Sequence, residues 1–284
     1  MPLSQVIGAD HAVVAVRDLD AAAEQWRRLG FTVSPRGTHS AQMGSGNYTI
    51  VFDADYIELL GVLAETPLNA ATRAFLAKRE GLERVAFTAV DSAAGVEELK
   101  ARGIAATGPV DFGRPVPLPD GGSTEARFRV MHWPVDERPG GLRIFACQHL
   151  TREAVWIKSL QTHANTARRL MEVEMLTPDP KAAAAQMTRL IDRPAVALAD
   201  GAIRVPSGGN RADFIFVDRA VLAKRHPGIE LAGLPDEGAV GLRIAVADAA
   251  AAAKAVGAAG IAGARSVTVP PSAATGVMIT FDAS

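Results

Sequence analysis

The sequence predicts an α+β protein built from four copies of one supersecondary unit. Each copy has a short apolar strand, an acidic residue placed to cap a helix, an alanine-containing helix and a return to strand. The opening strands lie at residues 11–16, 85–90, 172–176 and 242–246. One such unit cannot bury its apolar face alone, so the copies must pack together. A chain of 284 residues has room for two ordinary domains, and we therefore expect two lobes of two units each.

The first unit opens with the apolar strand His11–Val16. Asp18 follows where its carboxylate can accept the free amide hydrogens at the start of a helix, and Gly30 is a typical left-handed helix stop. Alternating apolar residues predict further strands over 48–52 and 56–62. The last of these strands contains Glu58, so only this unit carries a histidine on its first strand and a carboxylate on its last.

The second unit repeats this plan. After the strand 85–90, Asp91 is placed to cap a helix that ends before Gly103. Its later strands are predicted over 127–132 and 142–149.

The second half of the chain contains more divergent copies. In the third unit, Asp179 caps a helix that Pro180 begins, and the last strand is predicted over 213–217. In the fourth unit, Asp248 caps a helix made almost entirely of alanine, and a final strand is predicted over 277–281. We interpret the fourth copy as a degenerate scaffold.

These units define the expected domains. We predict an N-terminal lobe over 1–155 that holds the binding cavity, a bridging segment over 156–168, and a C-terminal lobe over 169–284. Glu172 and Glu174 alternate with apolar neighbours, so both face one side of their strand. We expect that side to face solvent, and a second, vestigial site is the alternative.

Composition excludes several classes of protein. A net charge of -1 provides no basic field for nucleic acid, and 48% hydrophobic with 21% charged residues is typical of a globular domain. No apolar run approaches the roughly 18 residues of a membrane span. The N-terminal residues lack the pattern of a secretion signal, so we expect a cytoplasmic protein. Cys147 is the single cysteine and is interpreted as a packed strand residue.

Two loops of the second unit, 112–122 and 133–141, are long enough to form a rim over a cavity. Arg114 lies in the first, next to prolines, and could direct its guanidinium at a substrate carboxylate or phosphate, with a solvent-facing arginine as the alternative. His39 and Asn47 belong to the segment that enters the first cavity and could orient a ligand carbonyl or hydroxyl. Ordinary turn chemistry explains this segment as well.

Local stretches of the first two units resemble the glyoxalase-like domain proteins of the vicinal oxygen chelate superfamily. The relevant segments are Val-Ala-Val-Arg-Asp-Leu-Asp-Ala-Ala from residue 14, Gly-Asn at 46–47, Tyr-Ile-Glu-Leu-Leu from 56, Gln-His at 148–149 and His-Ala-Asn at 163–165. The resemblance implies tandem βαβββ modules, paired into curved sheets around a cavity. It implies a small-molecule ligand, and the superfamily includes isomerases, lyases, dioxygenases, epimerases and drug-binding proteins.

The metal-dependent members of that superfamily place ligands on the first and fourth strands of two units. Here the first unit offers His11 and Glu58. The matching residues of the second unit are Val85, or Arg84 if the alignment slips by one, and then Ile144 or Phe145, none of which suits a metal. A divalent ion (Zn, Mg, Mn, Ni or Fe) and no metal at all therefore both stay open. A packed strand histidine and a salt-bridged glutamate are the structural alternatives.

Other polar residues could complete the cavity. His132 and His149 end two strands of the second unit and could point toward His11 and Glu58. The bridging region contributes further candidates for substrate binding, namely Gln148, Trp156 and His163. Trp156 could equally join the lobes, and His163 could cap a turn.

Three functional hypotheses follow. The first is a glyoxalase-like isomerase or lyase in which a metal on His11 and Glu58 polarises an oxygen-rich substrate while Glu58 or a histidine, with His149 the candidate, moves a proton. The second is a binding protein that sequesters the ligand without turnover. The third is an Fe(II) dioxygenase, which would need His11, Glu58 and either His132 or His149 to converge. A homodimer is compatible with each hypothesis.

Overall fold

The structure is a computed structural model that describes residues 2–283. All four βαβββ units are present, and the predicted α+β class is confirmed. The first unit comprises β1 (Val6–Val16), α1 (Leu19–Arg28), β2 (Gly37–Thr38), β3 (Ser45–Val51) and β4 (Tyr56–Val62), and is followed by α2 (Ala70–Leu76). The second comprises β5 (Gly81–Ala89), α3 (Ser92–Ala101), β6 (Thr107–Pro117), β7 (Ser123–His132) and β8 (Arg143–His149).

The second half of the chain repeats this element order. The third unit comprises β9 (Ala167–Leu176), α4 (Pro180–Ile191), β10 (Val196–Ala197), β11 (Ile203–Val205) and β12 (Asp213–Val217), and is followed by α5 (Arg219–Arg225). The fourth comprises β13 (Gly238–Val246), α6 (Ala249–Val256), β14 (Ile261–Ala262), β15 (Ser266–Val269) and β16 (Met278–Asp282). The fourth unit thus keeps the full element order despite its alanine-rich helix.

The units pair into two eight-stranded sheets of equivalent topology. In the first sheet the strand order is β2-β3-β4-β1-β5-β8-β7-β6, and in the second it is β10-β11-β12-β9-β13-β16-β15-β14. Each sheet is centred on an antiparallel pair, β1 with β5 and β9 with β13, and each member of that pair has a parallel neighbour from its own unit. This arrangement places the first and fourth strands of a unit side by side.

Two features differ from the sequence prediction. Helices α2 and α5 were not predicted, because each is only seven residues long and buries a single side chain, Thr72 or Leu222, so neither has an apolar periodicity to detect. The predicted loop 112–122 is largely the end of β6, an edge strand. Its prolines suggested a loop, but proline is tolerated at a sheet edge because no partner strand needs its missing amide hydrogen there.

The two sheets share one apolar core. Residues of both lobes contribute to it, including the inward faces of α1, α3, α4 and α6. Phe31 lies 5.5 Å from Phe281 and Phe87 lies 5.7 Å from Phe214, measured between ring centroids, so aromatic pairs cross from one lobe to the other. The indole of Trp133 donates to the carbonyl of Leu190 at 3.0 Å. The lobes are therefore packed against each other through their apolar faces. None of the helices within 2–283 combines the length and apolar content needed to cross a bilayer.

Strand alternation then assigns the opposite face of the first sheet to a cavity. Ala12, Val14 and Val16 of β1 lie in the shared core. Because successive side chains of a strand point to opposite faces, His11 and Val13 point to the concave side. The core thus fixes which residues of β1 can meet a ligand.

A polar seam also joins the lobes at the turn between β3 and β4. The Leu170 amide donates to the Asp55 carboxylate at 3.0 Å, and the Asp53 amide donates to the Arg168 carbonyl at 3.1 Å. Burial raises the pKa of Asp55 to about 7, although the Leu170 amide and Arg211 oppose the shift. The carboxyl is thus harder to ionise in the fold than in the unfolded chain.

Asp55→Asn should therefore stabilise the protein at high pH. For an acid whose pKa is higher in the folded state, stability falls as pH rises from the usual value of 3.8 to about 7. Removing that titration should leave the variant more stable than the wild type at pH 8, by on the order of 2–4 kcal/mol, and less so at pH 5. Urea denaturation at both pH values measures this. The exposed neighbour, altered in Asp53→Asn, is the control, and an equal effect of Asp55→Asn at both pH values would contradict the assignment.

Candidate functional site

The concave face of the first sheet encloses a cavity of about 410 Å³. Its lining comes from both units of the N-terminal lobe, from the central strands β1, β4, β5 and β8 and from β6 and β7. The loop that follows β7 contributes Val135 and Glu137, as predicted for the loop 133–141. The volume lies within the range of roughly 300–1,000 Å³ that is usual for small-molecule sites.

His11 and Glu58 both line this cavity. Glu58 pairs with Val13 across the parallel β1 and β4 strands, and Val13 shares the face of His11 because the two are two residues apart. The two side chains therefore project from neighbouring strands into one space. Asn47, from β3, donates its side-chain amide to Oε1 of Glu58 at 2.7 Å and fixes the orientation of the carboxylate.

The cavity holds Glu58 in its ionised form. Burial disfavours the charge, but His11 and His39 stabilise it, as do Arg84 and the hydrogen bond from Asn47, and the pKa of Glu58 lies below its usual value. Glu58 is thus a carboxylate among positive and hydrogen-bond-donating groups. The other carboxylates on the cavity lining have partners: Asp111 pairs with Arg129, and Glu137 with Arg189.

Arg84 occupies the position in the second unit that His11 occupies in the first. His11 lies seven residues before the helix cap Asp18, and Arg84 lies seven residues before the helix cap Asp91. By the same register, Phe145 corresponds to Glu58. Both residues line the cavity. The first alignment, which matched His11 to Val85, is therefore wrong, and the alternative at Arg84 and Phe145 holds.

Asp10 contacts the His11 imidazole from the preceding position of β1. The residue pattern did not predict this role. Asp10 has no partner in the register between β1 and β5, because a bulge separates Ala9 from His11. A bulge lets adjacent side chains approach each other, and Oδ2 of Asp10 lies 2.7 Å from Nδ1 of His11. The other oxygen accepts from the Thr88 hydroxyl at 2.7 Å. A bulge leaves no clear signal in the residue pattern.

The charge of Asp10 determines the tautomer of His11. Burial disfavours the carboxylate, but His149, His11 and Thr88 stabilise it, and the pKa of Asp10 is lowered to about 2. An ionised carboxylate only accepts hydrogen bonds, so Nδ1 of His11 must donate. In the neutral imidazole the proton is then absent from Nε2, whose lone pair is available to the cavity.

His149 and Trp156 close one end of the first sheet. The indole of Trp156 lies edge-on to His149 and to Tyr56, with centroid distances of 5.0 and 5.4 Å, and the Arg152 guanidinium lies 3.4 Å from the indole centroid. Nε2 of His149 and Nε1 of Trp156 are buried without a hydrogen-bond partner. Burial lowers the pKa of His149 to about 4 despite the nearby Asp10 charge, so this histidine is neutral at pH 7. Neither residue reaches the cavity lining.

Three other predicted residues do line the cavity. Nδ1 of His39 forms a hydrogen bond with the Ser45 hydroxyl at 2.9 Å, and burial lowers the pKa of His39 to about 4. The ring of His132 stacks on Phe145 at 5.9 Å, and burial lowers its pKa also. Arg114 is 7% exposed and so does not face solvent. Its guanidinium lies against Gly37 of β2.

Gly37 makes that position of Arg114 feasible. A Cβ atom at residue 37 would lie 2.4 Å from Oδ1 of Asn47 and 2.8 Å from Nη1 of Arg114. A side chain here would displace both groups, so this glycine is part of the site although its sequence context suggests only a turn.

Gln148 and His163 lie elsewhere. The side-chain oxygen of Gln148 accepts from the Ser92 amide at 3.1 Å at the start of α3. His163 accepts from the Thr32 amide at 3.0 Å and contacts the Val51 carbonyl at 3.0 Å. Both residues stabilise backbone away from the cavity, so their predicted substrate contacts are not supported by this placement.

The sequence profile of the glyoxalase-like domain family matches residues 9–191, which is most of the N-terminal lobe and the start of the next unit. The chain belongs to the glyoxalase-like domain family. This confirms the resemblance found in the sequence. No curated protein matches the chain.

Two solved structures show the same fold over 97% and 100% of the chain, and a third is similar over about half of it. A hypothetical protein from Staphylococcus aureus is 12% identical with a TM-score of 0.70, covering 97% of this chain and 99% of its own. A mutant of 4-hydroxymandelate synthase from Streptomyces coelicolor is 12% identical with a TM-score of 0.62, covering 100% and 94%. Methylmalonyl-CoA epimerase from Mycobacterium tuberculosis is 23% identical with a TM-score of 0.40, covering 55% and 96%.

A four-ligand metal centre does not fit this glyoxalase-like cavity. The first unit suits one, since His11 has its Nδ1 held by a carboxylate, as metal-bound histidines commonly do, and Glu58 lies beside it. The second unit places a guanidinium and a phenyl ring, those of Arg84 and Phe145, where two further ligands would be needed. A fixed positive charge opposes a cation, and a phenyl ring cannot coordinate one.

Within residues 2–283, one group of three ligand atoms lies within 4.8 Å, and it consists of Asp10, His11 and His149. These atoms could hold a metal ion. However, the 2.7 Å contact between Asp10 and His11 is a hydrogen bond in the structure, and Glu58 is not a member of the group. The convergence of His11 and Glu58 with a second histidine that the dioxygenase hypothesis requires is therefore absent from the described residues.

The concave face of the second sheet is filled by the protein itself. Glu174 accepts from Arg225 at 2.8 Å and contacts His226 at 2.7 Å, and Glu172 accepts from both Arg225 and Arg243 at 2.9 Å. Apolar residues of α5 and the following loop cover the rest of this face. The expectation that Glu172 and Glu174 face solvent is wrong, because the unpredicted helix covers them.

The role of Asp10 can be tested through the tautomer of His11. In the wild type, ¹⁵N NMR of the neutral imidazole should show the proton on Nδ1. Asp10→Asn offers both a donor and an acceptor, so a fraction of His11 should carry its proton on Nε2 instead. The His132 ring is an internal control, because it makes no contact with Asp10 and should keep its signals. A wild-type His11 protonated on Nε2 would contradict the assignment.

Proposed function

We propose that this protein is a small-molecule enzyme that moves a proton next to the carbonyl group of an anionic, oxygen-rich substrate, in an isomerase- or lyase-type reaction. Glu58 is proposed as the base. The observation that carries the proposal is the burial of the Glu58 carboxylate in the cavity, where Asn47 orients it and Arg84 and Arg114 provide positive charge.

The positive side chains explain how a substrate would be held. A guanidinium binds carboxylate and phosphate oxygens through paired hydrogen bonds, so Arg114 suits an anionic group. Arg84 pairs with Glu83 at 3.0 Å through one of its nitrogens and would contribute its remaining donors. The same charges would stabilise the oxyanion that forms when a proton leaves the neighbouring carbon. In that step the C–H bond breaks, the proton passes to Glu58, and the electron pair of the bond moves onto the carbonyl oxygen. Return of the proton to carbon, or loss of a leaving group, completes the reaction.

Substrate binding would also make Glu58 a stronger base. In the free protein the neighbouring positive groups lower its pKa. An anion bound to Arg84 and Arg114 would neutralise part of that charge and exclude water, and both changes raise the pKa of a carboxylate. A base is most effective when its pKa approaches the working pH. His11 is suited to pass a second proton, because Asp10 leaves its Nε2 lone pair on the cavity side.

Proton abstraction can be measured without knowing the net reaction. A panel of 2-oxo acids, 2-hydroxy acids and their phosphorylated forms is incubated with the protein in D2O, and ¹H NMR follows the loss of the proton next to the carbonyl or carboxylate. For an acid that exchanges, Glu58→Gln should slow exchange by about 10²- to 10⁴-fold. Glu125→Gln changes an exposed carboxylate outside the lining and should leave the rate unchanged.

Three results would contradict the proposal. Undiminished exchange with Glu58→Gln would remove Glu58 from the mechanism. Tight binding of an acid that never exchanges would favour the alternative of a sequestering protein, for which Arg84 and Phe145 in the second unit are the supporting observation. Because no step uses a metal, exchange should also persist in a chelator, and its loss with chelator and recovery with one added divalent ion would overturn this mechanism.

A further inference from the structure

We infer that the ligand of this cavity is an amphipathic acid, with an anionic head group at the buried end and an apolar chain or ring that reaches the mouth. The inference depends on the proposed function only for taking the cavity as the substrate site. It adds the chemical class of the substrate, which neither the fold nor the proton-transfer step defines.

Polar side chains lie at the buried end of the cavity, and large apolar side chains lie at its mouth. At the buried end are His11, Asn47 and Arg114, which are 3%, 3% and 7% exposed. At the mouth are Leu68 and Val135, which are 72% and 69% exposed, beside the exposed polar residues Ser40, Gln42 and Asp111. The charged end of a ligand would therefore find its partners deep in the cavity, and the remainder would contact hydrocarbon.

Three exposed apolar residues line the same cavity. Leu68 lies in the turn before α2, Val110 in β6 and Val135 in the loop after β7, so three separate elements converge there. We call these three residues the apolar collar. Val110 is 52% exposed. Large apolar side chains that are exposed at the rim of a cavity suit a ligand, because burying them under it gains the free energy that their exposure to water costs.

The wall between the two ends is apolar too. Leu60, Phe112, Phe128 and Val130 line the cavity and are buried or partly buried. A hydrocarbon chain that extends from Arg114 toward the collar would therefore remain in contact with carbon atoms along its path. A second, shallow depression shares Gln42 and Leu68 with the mouth and is otherwise lined by Glu65, Thr66 and Pro67, so Leu68 and Pro67 offer a longer chain limited further apolar contact.

A chain on the ligand explains this collar better than a second copy of the protein does. The collar lies around the opening of a cavity that leads to buried positive charge, whereas a contact between two copies would need only a patch and no passage to Arg114. A small and fully polar acid would leave the collar uncovered.

The inference is tested by the chain-length dependence of binding. Isothermal titration calorimetry is performed with the straight-chain acids butanoate, hexanoate, octanoate and decanoate. Each methylene that reaches the wall or collar should raise the affinity by about twofold to fourfold, at one ligand per chain. Arg114→Gln should weaken all four acids by a similar factor, and octan-1-ol, which has the chain without the charge, should bind more weakly than octanoate.

A double substitution isolates the collar. In Leu68→Ser with Val135→Ser, butanoate should bind as in the wild type, while octanoate and decanoate should lose about tenfold in affinity. Val90→Ser is the matched control, because Val90 is 53% exposed and lies outside the cavity. Both substituted positions are exposed, so the fold should tolerate them.

Several outcomes would overturn the inference. They are an affinity that does not rise with chain length, an unchanged chain-length dependence in the double variant, or a double variant whose only change is in self-association measured by analytical ultracentrifugation. Failure of the chain-length test and failure of the exchange test for Glu58 can be told apart. Chain-length-dependent binding with no effect of Glu58→Gln on exchange would support the ligand class and reject the base. Glu58-dependent exchange of short acids, combined with no binding of long ones, would support Glu58 as the base and reject the amphipathic ligand class.

Discussion

The apolar core shared by the two sheets determines what the rest of this molecule can do. Ala12, Val14 and Val16 of β1 are part of this core. Because side chains alternate along a strand, His11 must point to the opposite face, where it lines the cavity. Since β4 is parallel to β1 and in register with it, Glu58 is brought to the same face. No contact between His11 and Glu58 is needed to explain why they share a cavity, because the packing of the other face already requires it.

Charge in the cavity is arranged around that constraint. Burying one carboxylate is unfavourable unless positive or hydrogen-bond-donating groups surround it. Glu58 has Asn47 on one oxygen and Arg84 and Arg114 nearby. Asp10 is buried still more deeply and is held by His11 and Thr88. Asp10 thus determines which nitrogen of His11 is protonated, and Glu58 lies beside the arginines that would bind an anion. Proton transfer in a buried cavity needs both a group of defined protonation and a bound substrate.

Much of the fold could be predicted from the sequence, because it depends on local signals. The four aspartate caps, at 18, 91, 179 and 248, mark the four long helices, and each accepts backbone amide hydrogens in the structure. The strands that follow have clear alternation. The helix α5 also has an aspartate cap, Asp218, but its seven residues show no apolar periodicity, so it was not predicted, and it places Glu174 in a buried rather than an exposed environment.

The site was less predictable, because it depends on features without a residue pattern. His11 and Glu58 were found by their positions on two strands, whereas Asp10 depends on a bulge and Arg84 on an alignment uncertain by one residue. Gln148 and His163 bond backbone groups in the structure, a role to which polar residues near a cavity are equally suited. Which of these roles a side chain has is determined by three-dimensional packing.

The polar seam at Asp55 and the aromatic pairs between the lobes have a practical consequence for shortening the chain. The cavity belongs entirely to the N-terminal lobe, yet the core behind its central strands is completed by residues of the C-terminal lobe. A truncated protein ending near residue 155 would keep every ligand contact and expose Phe31 and Phe87 to water. The smallest soluble recombinant form that retains the pocket should therefore be close to the entire polypeptide.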